Sequence, residues 1–339
     1  MTLLVSSYAI ANNNIVTDQI DRQPSLFDQL IQEQPLEITI ETDLSHLLES
    51  RRNDDYQAAE LTYTKDKQAY RWKMKLRPRG KFRRTMCDFP PLKLELSKKD
   101  LTAAGLSKLD DLKLITHCLA DSMTSANLVF REYLAYKMYN VLDLNSLRVQ
   151  LVKINYIDSN SAQEEFTRWG ILLEDIDELA VRLQGEEVEQ FAFLAGELDT
   201  IQHTYISVFQ YMIGNTDWSI LPIRNLKLIR QANRSGFVLI PYDFDFSSFV
   251  NAPYALPRGH LGQTSLHDRV YQGLITSPKL IVPILDQFQT KRKEVLALVT
   301  DFEQIDKAEK NDLLRSLRQF FRSIKDPNLF IENKPAVGP

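Results

Sequence analysis

The sequence predicts an α+β fold in two lobes, an antiparallel sheet followed by a mostly helical body. Three observations carry this expectation. Segments alternating apolar and polar residues crowd the first half, at 36–42, 58–64, 70–76, 92–96, 149–156 and 169–175. Helical periodicity dominates the second half, at 200–213, 266–274, 278–298 and 304–324. Between them, two apolar runs at 225–229 and 237–240 are joined by a polar turn ending in Gly236, a β-hairpin pattern.

In chain order, residues 12–34 are polar, with one short helical patch at 26–31, and order is expected to begin near Pro35. A strand at 36–42 precedes a short helix at 43–52 with Asp43 as N-cap. The runs 58–64 and 70–76 flank Lys65-Asp66-Lys67 and read as a hairpin. Residues 77–84 (RPRGKFRR) form a cationic loop around one glycine, and Phe89-Pro90-Pro91 stops it before the strand at 92–96. The clearest helix covers 125–144, and a strand pair at 149–156 and 169–175 then exits into helical sequence at 176–183. A hinge is therefore expected near 173–178, and a Pro/Gly-containing loop at 252–262. The resulting division is a leader and linker at 1–34, a sheet-rich region at 35–175, a helical region at 176–325 and a frayed tail at 326–339.

The chain has 339 residues, enough to bury a sizeable core without staples. Its net charge of −4 argues against a nucleic-acid binder, and no run approaches the length of a membrane span. Cys87 and Cys118 are too few for a cysteine-based zinc site. They form one bridge in an oxidising compartment or stay as buried thiols, and the reading leans to thiols. The five histidines show no metal-ligand spacing. Residues 3–11 followed by Asn12-Asn13-Asn14 look like the tail of a secretory signal, short of a basic region, and favour export slightly over the cytoplasm.

The hairpin at 225–240 carries the chemistry. Asp217 precedes it, Asn225 enters its first strand, and Asp243 and Asp245 leave its second. A hairpin brings its open ends together, so these four oxygen-bearing side chains should converge on a hard cation such as Mg²⁺ or Mn²⁺. The order Asp, Asn, hairpin, Asp-Phe matches the parts of a kinase centre, where positioning carries most of the catalysis. The plain alternative for each aspartate is a solvated hairpin end. By the same logic Lys93, between Leu92 and Leu94, is the candidate strand lysine for ATP phosphates, with Lys113 as its rival. Glu132 on the long helix would position Lys93 as an ion pair. Arg79 and Lys81 of the cationic loop would clamp phosphates, and backbone groups near Leu173 and Glu174 would meet adenine. A basic solvated turn and surface charges are the bland readings of the same residues.

With these residues assembled, the chain resembles the CotH-type kinases, an atypical protein-kinase-like family first named from a spore-coat protein. The resemblance covers roughly residues 35–249. It rests on LRPRG at 76–80, FREYLAYKMYN at 130–140, GILLEDID at 170–177, IGNTDW at 213–218 and PYDFDFSSF at 241–249. It implies a two-lobed protein-kinase-like fold and Mg²⁺-dependent phosphoryl transfer from ATP to a Ser/Thr hydroxyl of a protein. Asp217 would act at the catalytic loop, and Asp243 would bind metal with Asp245 beside it. Two departures stand out: Lys81-Phe82 replaces the usual Asn-Ser after Arg-Gly, and Asp217 and Asn225 lie eight residues apart. Two rivals come from other classes. One is a non-catalytic pseudokinase, and the other is an envelope binding or structural protein using the basic loop 77–84.

Overall fold

The computed structural model describes residues 23–331 apart from 194–196, 233, 235, 275 and 276, so the signal-like stretch at 3–14 lies outside the described residues. The chain begins with α1 (Leu26–Leu30), closed by a capping box between Ser25 and Asp28. Leu26, Phe27 and Leu30 are buried, so order starts ahead of Pro35, contrary to expectation. The helical patch expected at 26–31 is this turn, and its apolar side chains plug the adjoining sheet.

That sheet is built from β1 (Leu36–Thr42), β2 (Gln57–Lys65), β3 (Gln68–Pro78), β4 (Leu92–Leu96), β5 (Asp111–Ile115), β6 (Val149–Asp158) and β7 (Phe166–Leu173). Short helices α2 (Leu44–Glu49), α3 (Arg83–Met86) and α4 (Lys98–Ala103) lie in its connections, and α5 (Ser122–Leu142) lies between β5 and β6. The strands close in the order β1-β2-β3-β4-β5-β7-β6. β6 runs parallel to β1, from Leu36 opposite Val152 to Thr42 opposite Asp158, whereas the other neighbours are antiparallel. An antiparallel sheet was expected; the parallel β1–β6 seam closes it into a barrel.

Alternation sorts the side chains. Ile38, Ile40, Leu61, Leu94, Leu114, Ile154 and Tyr156 fill the barrel. Ile115, Val149, Leu151, Ile171 and Leu173 face outward and join α5 in a second, larger core. Helix α5 starts on its N-cap Asp121 and is buried over most of its circumference, which explains why a charged pair inside it matters. Arg131 is 7% exposed and reaches Glu309, Asp312 (3.1 Å) and the Phe249 carbonyl (3.1 Å).

The remainder is α6 (Ile176–Arg182), β8 (Gly185–Val188), α7 (Thr200–Ile213), β9 (Ser219–Ile220), β10 (Ile223–Arg224), β11 (Leu226–Gln231), β12 (Phe237–Pro241), α8 (Pro278–Thr300), α9 (Lys307–Ser323) and α10 (Asn328–Ile331). β11 and β12 are the expected hairpin, widened on one side by β8. No helix forms at 266–274. There Asp268 takes the N–H groups of Thr264 and Ser265 and the Thr264 hydroxyl, a local side-chain turn that competes with helix. The tail is not frayed at 326, because Phe330 is fully buried against Tyr211 and Tyr271. Cys87 and Cys118 are bridged, contrary to the leaning toward thiols: the end of α3 and the turn after β5 bring their Cα atoms to 4.5 Å. Among the described residues no helix is long and apolar enough to cross a membrane.

Candidate active site

Helix α7 ends on Gly214 in the left-handed region (φ 62°), the usual helix stop. A Cβ there would lie 2.1 Å from Ser248 Oγ, so a larger residue would also have to turn the Ser248 side chain aside. Ser248 N–H donates to Gly214 O (3.1 Å) and Phe249 N–H to Ile213 O (3.0 Å). These bonds join the 213–218 and 241–249 blocks directly, which the hairpin alone does not do. Past the helix, Asn215 Oδ1 accepts from Asp217 N–H (3.0 Å) and turns Asp217 outward.

The Asp217 carboxylate is held by three donors: Arg258, Arg224 (3.2 Å) and Asn225 Nδ2 (3.1 Å). Asn225, at φ 52°, also accepts from Tyr242 N–H through its carbonyl (3.2 Å), which places it one residue from Asp243. Asp217 and Asn225 therefore meet. Arg224 and Arg258 were not foreseen; no local pattern marks Arg258, which arrives from the 252–262 loop.

Asp243 and Asp245 form a second group with Glu132. Tyr136, four residues after Glu132 on α5, accepts the Asp243 N–H (2.9 Å) and packs tilted against Phe244 (ring centroids 4.6 Å), fixing Asp243 at φ 62°. Arg83 enters from α3: Nη2 donates to Glu132 Oε2 (2.7 Å), Nε donates to Asp245 Oδ2 (2.8 Å), and Nη2 stands 3.8 Å from Asp243 Oδ1. Tyr254 Oη adds a second donor to Asp245 (2.9 Å). Glu132 and Asp245 are almost completely buried, yet Glu132 Oε1 and Asp245 Oδ1 have no hydrogen-bond partner among the described residues. Buried acceptors left unpaired are costly, about 1–3 kcal/mol each, and favour a cation. The electrostatics agree. Desolvation raises the Glu132 carboxyl above its ordinary value, offset by Arg83 and reinforced by Asp245. Asp243 has a half-exposed side chain, and it too is raised, by desolvation and then by the Asp245 charge. Three carboxylates share one close guanidinium, and the cluster is short of positive charge.

No trio of His, Cys, Asp or Glu among the described residues forms a ready metal cage. The donor set is instead a pair of aspartates with free oxygens, the kind Mg²⁺ uses while keeping waters and phosphates as its other ligands. Beside the pair is a cavity of about 80 Å³, lined by Arg79, Lys81, Phe82, Leu173, Tyr242 and Asp243 among others. Phe82 closes one side, edge-on to Phe246 and Tyr254.

The remaining expected residues fall elsewhere. Lys93 does not reach Glu132. It points outward from β4 and pairs with Asp111 (2.7 Å), while Lys113, opposite it in register, pairs with Asp175 (2.9 Å). Arg83 takes the glutamate instead. Leu173 lines the cavity, but Glu174 does not face it: its carboxylate is fully buried between Arg148 and Arg182, and its N–H donates to Arg148 O. Of the basic loop, Arg77 and Arg84 are both tied to Asp54, leaving Arg79 at the cavity and Lys81 exposed on its rim.

No family model matches the chain, and no curated protein matches it. Among solved structures it is similar to a crystal structure of the Helicobacter pylori proinflammatory kinase CtkA, at 11% identity over 71% of this chain and 94% of that one, with a TM-score of 0.42.

Proposed function

We propose that the chain is a protein-kinase-like phosphotransferase of CotH type, moving the terminal phosphoryl group of ATP to a Ser/Thr hydroxyl of a protein. One observation carries the reading. A hairpin's two ends present an Asp217–Asn225 pair and an Asp243–Asp245 pair whose free oxygens lie beside a cavity flanked by Arg79 and Lys81. Asp243, Asp245 and the Asn225 amide would hold Mg²⁺ or Mn²⁺, which when bound neutralises phosphate charge. Asp217 orients the acceptor hydroxyl and takes its proton as the new O–P bond forms and the bond to the ADP oxygen breaks. Arg258 and Arg224 hold the Asp217 carboxylate in place. Leu173 supplies an apolar wall for a base.

The cavity favours a second reading. At about 80 Å³ it is far below the several hundred Å³ of a nucleotide pocket, so loop 79–82 must withdraw for ATP to enter. A pseudokinase in which it never withdraws is the alternative. An envelope role for the basic loop is weaker, since Arg77, Arg83 and Arg84 already have acidic partners inside the chain. Export is supported by the Cys87–Cys118 bridge, which persists in oxidising compartments.

The test is a melting-temperature titration with ATP, with and without Mn²⁺, alongside phosphate transfer to a Ser/Thr-rich acceptor protein. The D217N protein should keep the metal-dependent shift and lose about 10²–10⁴-fold in transfer. D243A should lose both. Wild-type transfer by D217N overturns the assignment, and a shift without transfer in wild type selects the pseudokinase.

A further inference from the structure

We propose that Arg83 is the phosphate-binding cation of this site, in the place where a sheet lysine was expected, an inference that rests on the phosphotransferase reading. Both sheet lysines are engaged away from the carboxylates, Lys93 with Asp111 and Lys113 with Asp175. Arg83 is the cation in contact with Glu132 and Asp245, and it lines the same cavity as Asp243. Its Nε and Nη2 are fixed by the two buried carboxylates, whereas Nη1 donates no hydrogen bond among the described residues. A guanidinium clamped on two sides with one amino group uncommitted is a preorganised donor for a phosphate oxygen.

A competing reading makes Arg83 a counter-ion that fills the metal's place. The free oxygens speak against it. Asp245 uses Oδ2 for Arg83 and Tyr254 and leaves Oδ1 unpartnered, and the half-exposed Asp243 is 3.8 Å from the guanidinium. A divalent cation can therefore take Asp243 and Asp245 Oδ1 while every bond of Arg83 survives. With three carboxylates around it, Arg83 would receive a polyphosphate only together with that cation, so nucleotide binding should require the metal. The position of Arg83 is also braced from behind: α3 ends at Cys87, bridged to Cys118, and Asp88 N–H donates to Cys118 O (2.8 Å).

Two titrations on the full chain test this, Mn²⁺ alone followed by electron paramagnetic resonance and a fluorescent ATP analogue followed with Mn²⁺ present. In R83Q, Mn²⁺ affinity should hold or rise, because a positive charge beside Asp243 and Asp245 is removed, while nucleotide affinity falls by about tenfold or more. Nucleotide binding by R83Q as tight as wild type, or tighter, overturns the proposal and makes Arg83 a counter-ion. Should R83Q fail to fold, R83K decides. An ammonium has three donors, but they radiate from one nitrogen, without the planar fork that spans Glu132 and Asp245 and leaves Nη1 uncommitted. It should therefore bind nucleotide more weakly, and equal affinity overturns the proposal. A wild-type protein that binds neither probe sinks the phosphotransferase reading itself, a result separable from any effect of the variants.

Discussion

Replacing Arg83 by methionine keeps most of the stem volume and removes the charge, so it isolates what the guanidinium does for the buried carboxylates. Glu132 is 3% exposed and would be left ionised with no cation in contact. Breaking a buried pair in this way costs about 3–5 kcal/mol. Protonation sets a ceiling on the Glu132 share. From an unfolded value of 4.5, taking up a proton costs about 3.4 kcal/mol at pH 7 and about 0.7 kcal/mol at pH 5. The sign follows: a folded-state pKa raised above 4.5 means the native state binds more protons, so stability is lost as pH rises from the unfolded value toward the folded one. The variant should therefore be about 3 kcal/mol less stable than wild type at pH 7, and the deficit should shrink by about 2–3 kcal/mol at pH 5. Urea denaturation of both proteins at the two pH values measures this. The double variant R83M/E132Q should recover most of the loss at pH 7. A deficit of the same size at both pH values, or no recovery by E132Q, would refute the assignment of an ionised Glu132 held by Arg83.

Two further outcomes follow from the same geometry. Asp243 is raised from 3.8 to about 8, and a divalent cation needs the carboxylate, so Mn²⁺ affinity should climb with pH through that range and binding should release a proton. Calorimetry in buffers of different ionisation enthalpy reads the proton directly, and buffer-independent heats would contradict it. C87S/C118S opens a loop of 31 residues and should cost about 3–4 kcal/mol of stability, measured by denaturant midpoint; a change below about 1 kcal/mol would place the bridge outside the folded unit's constraints.

Much of the architecture was legible because it is written at short range. Period-2 alternation located β1 to β4, β6 and β7, and Asp43 caps α2 as expected; the start of α5 was placed at 125, and its cap Asp121 was missed. The hairpin β11–β12 and its acidic ends were readable for the same reason. The parallel β1–β6 seam was not, because it pairs residues more than 110 positions apart and leaves no mark on either strand's own pattern. The lysine assignment failed on the same ground. Alternation between Leu92 and Leu94 accounts for Lys93 facing away from the barrel interior, but nothing local says that Asp111 waits there, or that Arg83 reaches residues 49 and 162 positions away. The hinge expected near 173–178 put the backbone of Leu173 and Glu174 against a base, yet Arg148 and Arg182 close over the glutamate.

Helix α5 carries its two central charges in opposite directions: Glu132 toward Arg83 and the aspartates, Arg131 toward Glu309 and Asp312 of α9. One helix thus serves two anchors, one at the candidate site and one on α9. A chain cut short before Lys307 would keep every carboxylate of the candidate site and still strand Arg131, a buried guanidinium, without its acidic partners. Activity measured on such a fragment would report on a helix that has lost one of its two anchors, and a negative result there would say nothing about the aspartates.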